Sequence, residues 1–145
     1  QEAEKMGADA LLVVTPYYNK TSQAGLIKHY HMIADSVNIP YHCLQCSFPY
    51  PVVRFQPQTY VELAQASEYL RNKGSERNIS AIAQTIALCG DMIDIYSGND
   101  DQVVPIMSLG GKGVISVFAN VCPKESHDLT EAMLQGNMKK GAELS

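Results

Sequence analysis

Cys43-x-x-Cys46, with His42 beside it, is the first cluster in the chain whose residue types can do chemistry. Thiolates and an imidazole at this spacing can hold zinc or cycle between dithiol and disulfide. A structural zinc site needs four ligands, and no second Cys-x-x-Cys follows. No metal is expected. Gly110-Gly111-Lys112-Gly113 is glycine-rich and carries a lysine. It lacks the Walker spacing and the Ser or Thr that follows the lysine of a phosphate cradle. Asn99-Asp100-Asp101 concentrates acid, but not at calcium-loop spacing. Acid at that point suits a helix N-terminus and reads as a cap. His29, His31 and His127 fall on helical segments and read as surface or boundary residues.

The elements that must position these residues alternate in period. Ala10 to Val14 is a short, continuous apolar run closed by Pro16, the pattern of a parallel strand buried on both faces. From Ser22 to Ser36 the period becomes helical, with Leu26, Ile27, Tyr30, Ile33 and Ala34 on one face. Val37 to Pro40 approaches another strand, and Pro57 fits the first turn of a helix through Tyr60, Val61, Leu63 and Ala64. Asn78 to Cys89 is helical and stops at Gly90. Ile93 to Tyr96 is a strand, Asp100 to Leu109 one helix ended by Gly110-Gly111, and Val114 to Phe118 the next strand. Pro123 opens a last helix. Strand and helix in alternation with short connections predict a parallel α/β domain over 1–145. Arg71 to Arg77 has no apolar run and reads as a poor buried strand. Segments 41–55 and 66–77, polar and without pattern, are expected to be the least ordered.

Composition narrows the function. With 46% hydrophobic and 18% charged residues the chain is an ordinary globular sequence, and 145 residues suffice for one core. A net charge of -4 without a basic stripe argues against nucleic acid or an anionic membrane as partner. No apolar run approaches the roughly 20 residues of a spanning helix. Four cysteines are too few for a disulfide scaffold, and free thiols in the cytoplasm are expected. The chain opens on Gln1, partway into a helical segment, which reads as a truncated start.

Three segments carry a family resemblance. They are Val14-Thr15-Pro16-Tyr17-Tyr18-Asn19-Lys20, Ile95-Tyr96-Ser97-Gly98-Asn99-Asp100, and Leu109-Gly110-Gly111-Lys112-Gly113-Val114-Ile115-Ser116-Val117. Their order and spacing across the chain resemble the dihydrodipicolinate synthase / N-acetylneuraminate lyase family of pyruvate-dependent class I aldolases. The resemblance implies a (β/α)8 barrel of which this chain holds roughly strands four to eight. It implies a lysine that forms a Schiff base with pyruvate, with no cofactor beyond that imine. The Ser-Gly-Asn-Asp and Gly-Gly-Lys-Gly-Val-Ile-Ser-Val wording points within the family to condensation of pyruvate with aspartate semialdehyde in lysine biosynthesis. On the same resemblance Lys73 takes the place of the Schiff-base lysine. Tyr18 takes that of a proton-relay tyrosine lent to a neighbouring subunit, with Tyr17 at the same interface. Gly98 and Ile115 take those of backbone and apolar walls of the pyruvate pocket. A homo-oligomer, a dimer of dimers in the family, is implied as well.

Two family motifs are missing. Where the family shows Tyr-Asn-x-Pro-x-Arg-Thr-Gly, the chain reads Tyr41-His42-Cys43-Leu44-Gln45-Cys46-Ser47-Phe48-Pro49-Tyr50. Where it shows Ile-Lys-Glu-Ala/Ser, the chain reads Arg71-Asn72-Lys73-Gly74-Ser75-Glu76-Arg77. Synonymous codons for Tyr41 to Tyr50, read one base later, spell Ile-Ile-Val-Tyr-Asn-Val-Pro-Ser-Arg. Codons for Gln65 to Arg77 treated alike spell Lys-His-Pro-Asn-Ile-Tyr-Ala-Ile-Lys-Glu-Ala-Ser. Lys73 survives because overlapping codons both encode lysine. These readings suggest two compensated frameshifts, in the gene or in its sequencing. They leave three functional classes: the synthase or a sialic-acid lyase of the same family, a non-catalytic remnant of the fold, and a thiol metal-binding domain built on Cys43 and Cys46.

Overall fold

The computed structural model describes residues 1–16, 18, 21–45, 54–66, 70–74 and 78–145. Its elements in chain order are α1 (Glu2–Lys5), β1 (Leu11–Val14), α2 (Gln23–Ala34), β2 (Tyr41–Gln45), α3 (Pro57–Ala66), β3 (Leu70–Gly74) and α4 (Ile79–Cys89). These are followed by β4 (Asp94–Ser97), a 3₁₀ turn (Asp100–Gln102), α5 (Val103–Ser108), β5 (Gly113–Val114), a second 3₁₀ turn (Phe118–Asn120), α6 (Pro123–Leu134) and α7 (Met138–Glu143). Local chemistry starts the helices where the sequence signals them. Ser22 Oγ accepts from the Gly25 N–H at 3.2 Å and Asn78 Oδ1 from the Ala81 N–H at 3.2 Å, each satisfying an orphan donor of a first turn. Pro123 occupies the first turn of α6, where its missing N–H costs nothing.

The strands form one sheet in the order β1-β2-β3-β4-β5, and every pairing is parallel, as the alternation predicts. One face of the sheet meets the helices. Leu11 and Val13 of β1, Tyr41 and Cys43 of β2 and Ile95 of β4 pack there against Leu26, Tyr30, Tyr60, Leu63, Ile82 and Cys89. Aromatic rings fill the middle: Tyr30 stacks on Tyr41 at 6.3 Å, and Phe55 lies 5.4 Å from Tyr30 and 4.7 Å from Tyr60. The Tyr30 hydroxyl donates to the Val13 carbonyl at 3.0 Å and ties α2 to the first strand. A second cluster, Val103, Met107, Leu129 and Met133, joins α5 to α6. No helix among the described residues is long and apolar enough to cross a membrane.

Three expectations are corrected. Arg71 to Arg77 reads as a poor strand, yet Leu70–Gly74 is a strand paired on both sides. The ladder is made by backbone groups, and two neighbouring strands offering partners override a weak side-chain pattern. Tyr41–Gln45 is likewise a paired strand; residues 46–53, 67–69 and 75–77, within the two segments expected to be least ordered, lie outside the described residues. The single helix over Asp100 to Leu109 is instead a 3₁₀ turn followed by α5. The strand over Val114 to Phe118 shrinks to Gly113–Val114, because Ser116 and Phe118 turn to bond Asp100.

Candidate active site

Register carries one residue of each strand into a single row. Val14 pairs with Leu44, Leu44 with Lys73, Lys73 with Tyr96, and Tyr96 with Gly113. Side chains alternate along a strand. Since Leu11, Val13, Tyr41, Cys43 and Ile95 face the helices, the alternate residues Val14, Leu44, Lys73 and Tyr96 belong to the opposite face. That face becomes the interior when a parallel sheet of this kind curls into a barrel. Lys73 is half-buried there, between Leu44 and Tyr96 in register.

The next row, Gly74, Ser97 and Val114, ends the strands. Gly98 follows β4 directly and Ile115 follows β5 directly, and the Ile115 N–H donates to the Ser97 carbonyl at 2.9 Å. Lys73, Gly98 and Ile115 thus gather at the C-terminal end of three adjacent strands, the end at which catalytic groups of barrels collect. Tyr18 is not brought to them. It lies beyond β1, across β2 from Lys73, and is 91% exposed. Tyr17 lies outside the described residues.

Two turns shape this end. Ser97, fully buried, donates from Oγ to the Asn99 carbonyl at 2.7 Å and accepts the Asn99 N–H at 3.2 Å, closing the chain around Gly98. Asn99 stands at the N-cap of the turn that the sequence places here, and Asp100, in its first turn, sends its carboxylate to Ser116 Oγ and to the Phe118 N–H. Sequence reading missed both roles; the run Ser97-Gly98-Asn99-Asp100 shows the residue types without the partner strand. Thr15, also fully buried, closes β1 by donating its N–H to the Leu44 carbonyl at 3.0 Å. A cavity of about 320 Å³ between Asp100, Val114, Phe118, Glu125 and Leu129 adjoins the site without touching Lys73, Gly98 or Ile115.

The thiols stand apart from this chemistry. Cys43 faces the helix core, where burial holds its thiol far above the ordinary range, partly offset by a hydrogen bond with Tyr30. His42 follows the opposite face of β2, and its ring meets Tyr96 edge-on at 5.5 Å. Adjacent residues pointing to opposite faces do not share a metal ion. Cys46 lies outside the described residues, and among the described residues no group of three His, Cys, Asp or Glu could hold a metal.

The profile of the Dihydrodipicolinate synthetase family matches residues 1–145. The chain belongs to this family. It is similar to the 4-hydroxy-tetrahydrodipicolinate synthase of Caldicellulosiruptor bescii, 48% identical over 145 residues, which cover 99% of this chain and 48% of the relative. The crystal structure of dihydrodipicolinate synthase from Aquifex aeolicus superposes with a TM-score of 0.93 at 36% identity, over 98% of this chain and 48% of that one. The chloride-inhibited synthase from Acinetobacter baumannii, solved with pyruvate, gives 0.88 at 30% identity, over 98% and 48%. The five parallel strands are thus a partial (β/α)8 barrel, and the chain spans about half the length of the relatives it matches.

Proposed function

We propose that the protein carrying this chain is a pyruvate-dependent class I aldolase that condenses pyruvate with aspartate semialdehyde to 4-hydroxy-tetrahydrodipicolinate, a step of lysine biosynthesis in the cytoplasm. What supports this is the convergence of Lys73, Gly98 and Ile115 on one strand end in a chain of this family. In this reading the neutral Lys73 amine attacks the pyruvate ketone and water leaves, giving an imine. The iminium draws electrons from the methyl carbon, which loses a proton to form the enamine. The enamine adds to the aldehyde carbon, whose oxygen takes up a proton; the substrate's own amine then attacks the regenerated imine carbon and displaces the Lys73 amine, which closes the ring and frees the lysine. Tyr18, 91% exposed here, serves as the proton relay of a neighbouring subunit's site, which makes the working unit a homo-oligomer. Gly98 offers backbone and Ile115 an apolar wall to pyruvate. Lysine itself supplies the covalent chemistry, so no cofactor is invoked.

A second reading, a remnant without turnover, is favoured for the chain as written by the loss of the Arg-Thr-Gly and Ile-Lys-Glu motifs at 41–50 and 71–77. The nucleotide sequence across codons 41 to 77 separates the two. Single-base insertions or deletions at the two motif sites identify a damaged copy of an active gene; an intact frame supports the remnant. The catalytic reading is tested in a restored protein, with both segments back in frame and the flanking spans of the Caldicellulosiruptor bescii synthase attached. It should consume pyruvate only when aspartate semialdehyde is present. Cleavage of sialic acid with no such condensation would overturn the substrate assignment.

A further inference from the structure

The ladder that holds β5 is short. Gly113 and Val114 pair with Tyr96 and Ser97, the Lys112 N–H extends the ladder before them by donating to the Ile95 carbonyl, and the Ile115 N–H extends it after them. Something else must fix the chain that runs on from Ile115. Asp100 does so from the neighbouring strand end. Its Oδ1 accepts from Ser116 Oγ and its Oδ2 accepts from the Phe118 N–H at 3.2 Å. Ser116 Oγ in turn accepts from the Ala119 N–H at 2.8 Å. The carboxylate is not spent on its own helical turn, where Asn99 stands at the N-cap. Asp100 is separated from Gly98 by Asn99 alone, and Ser116 is bonded to Ile115 through the chain. The clasp therefore joins the two segments that carry Gly98 and Ile115.

We propose that Asp100 is a positioning residue of the active site: its carboxylate, clasping Ser116 and Phe118, sets the gap between Gly98 and Ile115 that receives the keto acid. This rests on the catalytic reading above. A carboxylate suits the task because both of its oxygens accept and its charge strengthens each bond. An amide in its place keeps one acceptor for the Phe118 N–H and cannot accept at the other atom. A rigid gap matters because a misplacement on the ångström scale at a pocket wall weakens binding without touching the nucleophile.

The test has two arms. In the chain as written, Asp100→Ala should raise amide exchange at Phe118 about tenfold, the scale of one hydrogen bond to a charged group, and Asp100→Asn should largely preserve protection there. Unchanged exchange in Asp100→Ala overturns the clasp. In the restored protein, Asp100→Ala should raise KM for pyruvate about tenfold. It should leave KM for aspartate semialdehyde and kcat within about twofold, and keep the borohydride-trapped adduct at Lys73. Asp100→Asn should fall between, and Ser116→Ala, the milder change, should move KM for pyruvate in the same direction. An intact adduct with unchanged KM overturns the role of Asp100 and leaves the catalytic reading standing. A uniform loss of kcat and both KM values together with the folding transition, in Ser116→Ala as in Asp100→Ala, shows a purely structural role and also overturns it. A restored parent that neither traps pyruvate nor turns over sinks the catalytic reading, and the role of Asp100 with it.

Discussion

Replacing Gly111 by alanine tests how tightly the turn before β5 is built. A Cβ there would sit 2.6 Å from Ile106 Cγ2, 2.9 Å from the Ile106 carbonyl oxygen and 3.1 Å from its carbon. The first contact belongs to a side chain that is itself fully buried, and the other two are backbone, so neither can swing away. The same carbonyl accepts the Gly111 N–H at 3.0 Å, and the next residue, Lys112, donates to the Ile95 carbonyl at 2.8 Å. To relieve the clash the turn must move off α5 and strain both bonds. Overpacking of this kind costs about 1–3 kcal/mol, which lowers the folding equilibrium by roughly five- to more than a hundredfold. Gly110→Ala has room but would force φ near 110° on an L residue, worth about 1–2 kcal/mol. Gly136→Ala, with φ 73° and nothing within 4 Å, should cost least. Urea denaturation of the three variants in the restored protein, whose sheet edges are closed, ranks them. A Gly111→Ala midpoint equal to the parent's would show that the turn is loose and that β5 is not held as described.

The remaining predictions concern the chain as written. Because β1 and β5 leave the sheet with two unpaired edges among the described residues, the chain should self-associate at micromolar concentration and show no synthase turnover; a monodisperse, active protein in size-exclusion chromatography refutes this. Among the described cysteines, Cys122, partly exposed, should react first with a thiol reagent, and buried Cys43 and Cys89 only on unfolding, as peptide mapping of the labelled chain would show. Burial pushes the Cys89 thiol up to about 11 from 9.0, so the folded state keeps the neutral form. Its contribution to stability is intact below 9.0 and is lost as pH rises from there toward about 11. A Cys89→Val variant should lack that loss, and identical pH profiles would contradict the assignment.

Much of this architecture was legible because local and global signals agree. Leu11–Val14 is apolar throughout and strand, and Ser22, Asn78 and Pro123 start helices where their side chains predict. The legible signals fail where tertiary pairing decides. Arg71 to Gly74 has no strand pattern, yet lies between two strands that supply its backbone partners. Ser116 to Phe118 has one, yet breaks away because Asp100 competes for its hydroxyl and N–H. The site divides in the same way. Motif resemblance pointed to Lys73, Gly98 and Ile115, and register shows them sharing one end of the sheet. Asn99-Asp100-Asp101 opens a helical turn as read, with Asn99 at the N-cap, but the clasp of Asp100 on Ser116 and Phe118 was not legible, since nothing in a single strand end shows what the neighbouring one offers.

The measurement closest to the central claim is reduction with borohydride in the presence of pyruvate, followed by peptide mapping of the lysine modified. In the restored protein the Lys73 amine stands at the C-terminal end of the sheet, where its attack on the pyruvate ketone would form the imine. A covalent adduct is expected at Lys73 there and absent from the chain as written. It should vanish in Lys73→Arg, because a guanidinium stays protonated and forms no imine. An adduct at Lys112, or one that survives Lys73→Arg, would contradict the account.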